Sequence, residues 1–322
     1  MARTWIVTPV FHDVPAFRRL HADLLDVITA DARLRERATT IVVVDDSAGR
    51  DPEMRGLDDL EHVEVVEPPF NLGHQRAIVY ALRQLAERID GDDLVVTLDS
   101  DGEDRPSDIP ALTTALLEDP DDTHAVALAR RTARQETAAF KVGYRAFTLL
   151  FRALTGTVIR SGNFAAYRGT ALRVIRSHPY FDLSYSASLT AVGFNVRYVP
   201  CPRGSRYAGQ SRMNFQRLML HGLSMLVPFT DHIALRAMVL YTATLVVSAV
   251  VAVAVLAVKL FSDAAIPGWA TYTILAMFLA SLIALGNVVI LFVVFSQSRG
   301  VSLAALEGSY DHRPEDTYDH RP

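Results

Sequence analysis

Only one cysteine, Cys201, occurs in 322 residues. No intrachain disulfide can form, and nothing points to an oxidising compartment. Glycine-rich phosphate loops are missing too. No GxGxxG follows the first apolar run and no GxxxxGK[ST] occurs anywhere, which disfavours a dinucleotide fold and a P-loop. A phosphate held by this chain would have to be held by metal and by basic side chains. The net charge of −4 gives no reason to expect nucleic acid as a partner. The amino-terminal MARTWIVTPVF lacks a basic region followed by a long apolar core, so it reads as a strand and not as a signal peptide.

What is present is organised around Leu94–Pro106, LVVTLDSDGEDRP. The apolar run 94–98 has the length and composition of a buried strand, and Pro106 stops it from continuing. Asp99, Asp101, Glu103 and Asp104 follow within six positions. A buried strand that ends in closely spaced carboxylates suits a hard, oxygen-ligated divalent cation, Mg²⁺ or Mn²⁺, that shares its remaining positions with water and substrate phosphates. An acidic, solvated turn is the alternative for this stretch taken alone.

The remainder of the first two-thirds alternates strands and helices. Strands are expected at 5–10, 40–44, 62–66, 94–98 and 192–200, and helices at 16–29, 77–89 and 137–154. The alternation predicts a mainly parallel α/β sheet, in which ligands bind beyond the carboxyl ends of the strands. Asp13, Asp45-Asp46 and Asp99-x-Asp101 all fall at such ends. Three acidic strand ends on one edge favour a binding site over solvated turns. The helix 137–154 carries Lys141, Arg145 and Arg152 among aromatic and aliphatic residues, either a wet face or a basic wall beside the site. The loop RGSRYAGQSRMN at 203–214 is basic and contains glycine, so Arg206 and Arg212 could close over a diphosphate.

The last third differs in kind. Residues 215–229 read as an amphipathic segment lying on a membrane surface. Residues 237–258 and 269–295 are free of charge. Twenty-two residues give about 33 Å of helix, enough to cross a hydrocarbon core. Arg217 and Arg236 precede the first span and Arg299 follows the second, so the positive-inside rule predicts a cytoplasmic amino-terminal domain, both termini inside and the link 259–268 outside. The chain is thus expected to divide into a domain at 1–214, a juxtamembrane segment at 215–235, two spans within 236–297 and a polar, disordered tail at 298–322 that repeats YDHRP.

The order of these pieces resembles the polyprenyl-phosphate glycosyltransferases of glycosyltransferase family 2, the dolichol-phosphate mannose synthase-like enzymes, in their bacterial form with two carboxyl-terminal spans. The motifs are Pro9-Val10-Phe11-His12-Asp13, Val44-Asp45-Asp46-Ser47, Asn71 with Gly73 and Ala77, Asp99-x-Asp101-x-Glu103-Asp104-x-Pro106, and Arg206 with Gly209, Ser211 and Arg212. Each is weak alone; five in order, followed by two spans, are specific. The resemblance implies a GT-A fold and inverting transfer of one sugar from a UDP- or GDP-sugar to a polyprenyl phosphate at the inner membrane, for cell-envelope glycan or protein glycosylation. It implies a nucleotide-sugar site at Pro9, Phe11, Asp13, Asp45, Asp46, Asn71, Gly73, Asp99 and Arg206. It places Mg²⁺ or Mn²⁺ on Asp99, Asp101 and Glu103, catalysis on Asp99, Asp101 and Arg206, and the acceptor phosphate at Arg131, Lys141, Arg145, Ser161 and Arg212.

Three residues depart from the family pattern. Glu103 replaces Gln, Arg145 stands where a Ser is common, and Asn163 stands where many members have Asp. An Asn cannot act as a base, but a phosphate monoester is already anionic at neutral pH and can attack without one. Two other readings stay open. A processive polysaccharide synthase would carry QxxRW, yet the only tryptophans are Trp5 and Trp269. A catalytically silent membrane scaffold would have no need of Asp99-x-Asp101. Homo-oligomerisation is left open.

Overall fold

The structure is a computed structural model, and it describes residues 2–119, 121–131, 138–157, 161–178, 181–182, 185–191, 193–207, 225–262 and 268–298. Its centre is one seven-stranded sheet. In chain order the elements are β1 (Arg3–Val10), α1 (Val14–Ala30), α2 (Ala32–Arg35), β2 (Ala38–Asp45), β3 (Val63–Val66), α3 (His74–Ala86), β4 (Leu94–Thr97), α4 (Ile109–Leu117), β5 (Val126–Arg131), α5 (Ala138–Thr155), β6 (Ser161–Arg168), α6 (Gly169–Ile175), α7 (Tyr185–Ala191) and β7 (Val196–Cys201). Two long helices follow, α8 (Thr230–Phe261) and α9 (Trp269–Ser298).

The strand order is β3-β2-β1-β4-β6-β5-β7. β1 is parallel to β2 and β4, β2 to β3, and β5 to β7. β6 alone runs antiparallel, between β4 and β5. The sheet is therefore mixed, mainly parallel as the alternation predicts, with one reversed strand. That reversal places the amino-terminal end of β6 beside the carboxyl end of β4, because Thr97 pairs with Ala165.

The central strands β1, β2 and β4 are buried almost throughout, as strands covered on both sides must be. Alternate residues of β1 serve opposite layers. Trp5 and Val7 pack with α3, α6 and α7, through Ile78, Leu82, Leu172 and Tyr185. Ile6 packs with α1 and α4, through Phe17, Leu20, Leu24 and Leu112. The result is a three-layer sandwich with its ligand-facing edge set by where the strands end.

The chain forms two compact units. The first comprises Met1–Arg145 and Val158–Pro228, and the second Ala146–Thr157 together with the chain from Phe229 onward. The last part of α5 thus groups with the carboxyl-terminal helices. Within that second unit, the buried Phe151 meets Phe229 edge-on, with ring centroids 5.6 Å apart. Arg236 donates to the carbonyls of Ala153 (2.6 Å) and Arg152 (3.3 Å), which satisfies acceptors that a helix end leaves open. Thr230–Phe261 and Trp269–Val294 are long and apolar enough to cross a membrane, and they expose large side chains such as Val239, Val250, Phe278 and Phe292. The expected amphipathic segment lies mostly outside the described residues, as does the polar tail apart from Ser298, which ends α9.

Candidate active site

Every strand except β6 points its carboxyl end towards one edge, and the reversed β6 points its amino-terminal end there. That edge gathers the residues leaving β1, β2, β4, β5 and β7 and those entering β6. The expected convergence of Asp13, Asp45-Asp46 and Asp99-x-Asp101 is therefore a property of the sheet.

At the end of β1, Phe11 is exposed and His12 adopts φ +48°, a left-handed turn that brings Asp13 to the start of α1. The Asp13 side chain makes no capping hydrogen bond there. Asp45 and Asp46 behave differently from Asp13. One oxygen of Asp45 accepts from the Ser47 amide (2.9 Å) and hydroxyl (2.6 Å), and the other from the Gly49 amide (3.1 Å), so Asp45 closes its own turn. Asp46 holds a neighbouring loop. Its Oδ1 accepts from the Leu72 amide (2.7 Å) and its Oδ2 from the Gly73 amide (3.1 Å) and the Asn71 side chain (3.2 Å). Asn71 also donates to the Asp46 carbonyl (2.8 Å). The acidic pair and the Asn-x-Gly motif, separate in sequence, form one clamp. Burial pushes the Asp46 carboxyl up from its usual range, against the backbone donors of Leu72 and Gly73 and the charge of His74.

The clamp sets the start of α3. Gly73, at φ +79°, is the N-cap, and His74 and Gln75 follow it. Neither was expected in the site. His74 Nε2 lies 2.8 Å from Asp99 Oδ1 and 2.6 Å from Asn163 Nδ2, while Gln75 donates to Asn163 Oδ1 (3.1 Å). Asn163 Nδ2 is itself 3.3 Å from Asp99 Oδ1. Asn163 reaches Asp99 only because β6 is reversed. Behind it, the Thr97 hydroxyl donates to the Asn163 carbonyl and joins Tyr185 (2.8 Å), which bonds Tyr167 (3.1 Å), a buried hydroxyl chain that fixes this corner. Burial opposes charge on His74, but the Asp99 carboxylate outweighs it and raises the imidazole pKa above its ordinary value.

The acidic turn after β4 is paired throughout. Arg206 Nη2 lies 2.8 Å from Asp101 Oδ2, and its Nε donates to Glu103 Oε1 at 2.9 Å. Arg203 holds the other Glu103 oxygen. Asp101 Oδ1 accepts from the Glu103 amide (2.9 Å), and Asp104 accepts from the Asp99 amide (3.2 Å). Burial and the neighbouring Asp99 raise the Asp101 carboxyl from its usual range. Burial works against the charge on Glu103 as well, yet the hydrogen bonds from Arg203 and Arg206 hold its carboxyl below the usual range.

The residues expected at an acceptor phosphate are distributed as follows. Arg131 ends β5 and Ser161 opens β6, and Arg130 pairs with Ser161 in the ladder, so both stand at the site edge. Lys141 and Arg145 lie on α5, one turn apart, with Arg145 exposed. Arg212, Gly209 and Ser211 lie outside the described residues. Pro9, the next-to-last residue of β1, pairs with Val44.

Residues 5–176, more than half of the chain, match the sequence profile of glycosyl transferase family 2. The chain belongs to glycosyl transferase family 2. It has the family's GT-A fold, followed by two apolar helices that could span a membrane. A family 2 enzyme is a glycosyltransferase that takes a nucleotide-sugar donor and an acceptor. No curated protein matches the sequence. Similar solved structures include mannosyl-3-phosphoglycerate synthase from Rubrobacter xylanophilus, at 16% identity over 70% of this chain and 72% of that one, with a TM-score of 0.48. Others are 4-diphosphocytidyl-2C-methyl-D-erythritol synthase, at 11% identity over 70% and 100% (TM-score 0.38), and 2-C-methyl-D-erythritol 4-phosphate cytidylyltransferase from Francisella tularensis, at 12% over 69% and 100% (TM-score 0.37).

Proposed function

We propose that this family 2 enzyme transfers a single sugar, with inversion, from a UDP- or GDP-sugar to a polyprenyl phosphate at the inner face of the plasma membrane. The observation that carries the reading is the pairing of Arg206 with Asp101 and Glu103 at the sheet edge, in a chain that continues into two helices able to cross a bilayer. A guanidinium already held at the acidic turn is placed to exchange its carboxylate partners for a donor diphosphate. Phe11 and Asp13, exposed and half-buried at the end of β1, suit the base and ribose. Asp46 supports that region by clamping the loop 71–73.

Among the described residues, no group of three His, Cys, Asp or Glu side chains is arranged to hold a metal ion. The donor set nonetheless fits Mg²⁺ or Mn²⁺ in part. Asp99 and Asp101 supply hard oxygens at a strand end, the kind of short ligand set these ions complete with water and phosphate. Glu103, with both oxygens on arginines, is the weakest of the three expected ligands. Such an ion supplies positive charge to the leaving diphosphate. The chain's own contribution is Arg206, which adds a second positive charge there.

Asn163 supports a phosphate acceptor. It offers no base, and a phosphate monoester needs none, whereas a sugar hydroxyl would. Arg131, Ser161, Lys141 and Arg145 are the candidates to bind that phosphate. The test is a panel of UDP- and GDP-sugars, each radiolabelled in the sugar, supplied to membranes containing the protein and polyprenyl phosphate. Metal-dependent label in the lipid extract, matched to one donor, is the expected result. Label that enters only a polymer or a soluble product would reject the reading.

A further inference from the structure

The segment that leaves β7 is laid across the acidic turn and tied to it through its backbone. The Gly204 amide donates to the Glu103 carbonyl (2.8 Å), and the Tyr207 amide donates to the Asp101 carbonyl (2.9 Å). Arg206 sits between these two tethers. Glycine is required at both crossing points. A Cβ at Gly204 would lie 2.2 Å from the Gly102 carbonyl oxygen, and one at Gly102, whose φ is +86°, would lie 2.7 Å from the Tyr207 ring. The Tyr207 ring therefore rests directly on the Gly102 backbone. On α1, the Arg19 guanidinium stands 5.3 Å from the centroid of that ring and donates to the Tyr207 carbonyl (3.2 Å). The Tyr207 hydroxyl donates to Asp23, one turn further along α1. Nothing in the reaction calls for Arg19 or Asp23, which lie on the exposed side of α1, yet both are spent on this one tyrosine.

We propose that Tyr207, held by Asp23, is a positioning residue for the donor: it fixes the backbone so that the Arg206 guanidinium is presented to the donor diphosphate. The inference rests on the reading of Arg206 given above. Arg206 must release Asp101 and Glu103 to bind a diphosphate, and its side chain can do so without losing its place only if the backbone on both sides stays tied. Tyr207 supplies the tie on the carboxyl side, by the hydrogen bond its amide donates to the Asp101 carbonyl and by a ring wedged between Gly102 and α1.

The full-length protein in membranes or detergent provides the test, with Tyr207→Phe, Asp23→Ala and Asp23→Asn. Tyr207→Phe keeps the ring and loses the hydroxyl; Asp23→Asn keeps an acceptor for that hydroxyl. Tyr207→Phe and Asp23→Ala are expected to weaken nucleotide-sugar binding about tenfold with the KM for lipid acceptor unchanged, Asp23→Asn to restore most of the binding, and the double variant to be no weaker than either single one. In an Arg206→Ala background, Tyr207→Phe should change donor binding no further. Hydrogen exchange at the Gly204 and Tyr207 amides gives a readout that needs no donor, and both should exchange faster in Tyr207→Phe. Wild-type donor binding and wild-type exchange in the variants would overturn this inference alone. A wild-type protein that binds no nucleotide sugar would overturn the reading of function, and the inference with it.

Discussion

Asp101 joins the acidic turn to the arginine that crosses it. Its carboxylate accepts from the Glu103 amide and pairs with Arg206, and it stands one residue from Asp99, the other half of the expected cation site. Asp101→Ala should lower transfer at least about 100-fold, the scale of losing one electrostatic contact to a developing charge. The protein should still fold and insert, because Asp101 lies in a turn and outside the core. Initial rates in metal-supplemented membranes check this, and full activity would remove Asp101 from the site. Cys201 behaves oppositely. It is buried, and desolvation, with Asp108 and Asp104 nearby, pushes its thiol up to about 12. The thiolate is the reactive form, so Cys201 should resist a thiol reagent at pH 8 in the folded protein and react in denaturant. Rapid labelling of the native protein would contradict that burial. Gly204→Ala places a methyl against the Gly102 carbonyl, and the turn must open. A loss of about 1–3 kcal/mol is expected in thermal or denaturant unfolding, together with weaker donor binding.

Elements differed in how far their sequences betrayed them. β1, β2 and β4 were legible because their apolar runs end in Pro or Asp, and all three are central strands of the sheet. α1 showed its buried stripe at Phe17, Leu20, Leu24 and Ile28. β5 (VALARR) and β6 (SGNFAAYR) are not legible as strands, since half-polar segments with alanine and arginine carry little strand signal. The reversal of β6 was hidden for a deeper reason. Strand direction is set by tertiary pairing, and only that direction brings Asn163 to His74 and Asp99. The arginine pairing was hidden as well, because Glu103 meets Arg203 and Arg206 across 100 and 103 residues of chain. His74 had one local signal, its place directly after a glycine N-cap at a strand-to-helix turn. The clamp between β2 and α3 yields a prediction at this scale. Asp46→Ala leaves the Leu72 and Gly73 amides without their acceptor, which should cost about 1–3 kcal/mol in denaturant unfolding. Unchanged stability would mean that the loop 71–73 holds itself.

For the whole molecule, one chain joins a nucleotide-sugar fold to two helices that could cross a membrane. The proposed orientation puts the folded domain inside and the link between the helices outside. A cysteine placed at Ser262, at the end of α8, in a Cys201→Ser background, should react with an impermeant thiol reagent applied to intact cells; labelling only after the cells are opened would reverse the topology. The acceptor site is tested by Lys141→Ala/Arg145→Ala, which removes two cations one helical turn apart on α5. Two charge-assisted contacts of about 1.5–3 kcal/mol each predict a loss of at least about 100-fold in lipid acceptor use, with donor binding nearly intact. The central claim, sugar transfer to a phosphate monoester in the bilayer, has a more direct measurement. Using the donor that the nucleotide-sugar panel identifies, product formation is compared for polyprenyl phosphate and for the same polyprenol without its phosphate, in wild type and Asp101→Ala. The account predicts one sugar per lipid on the phosphate, none on the alcohol, and at least about 100-fold less product from the variant. Equal transfer to polyprenol, or several sugars added to one acceptor, would contradict it.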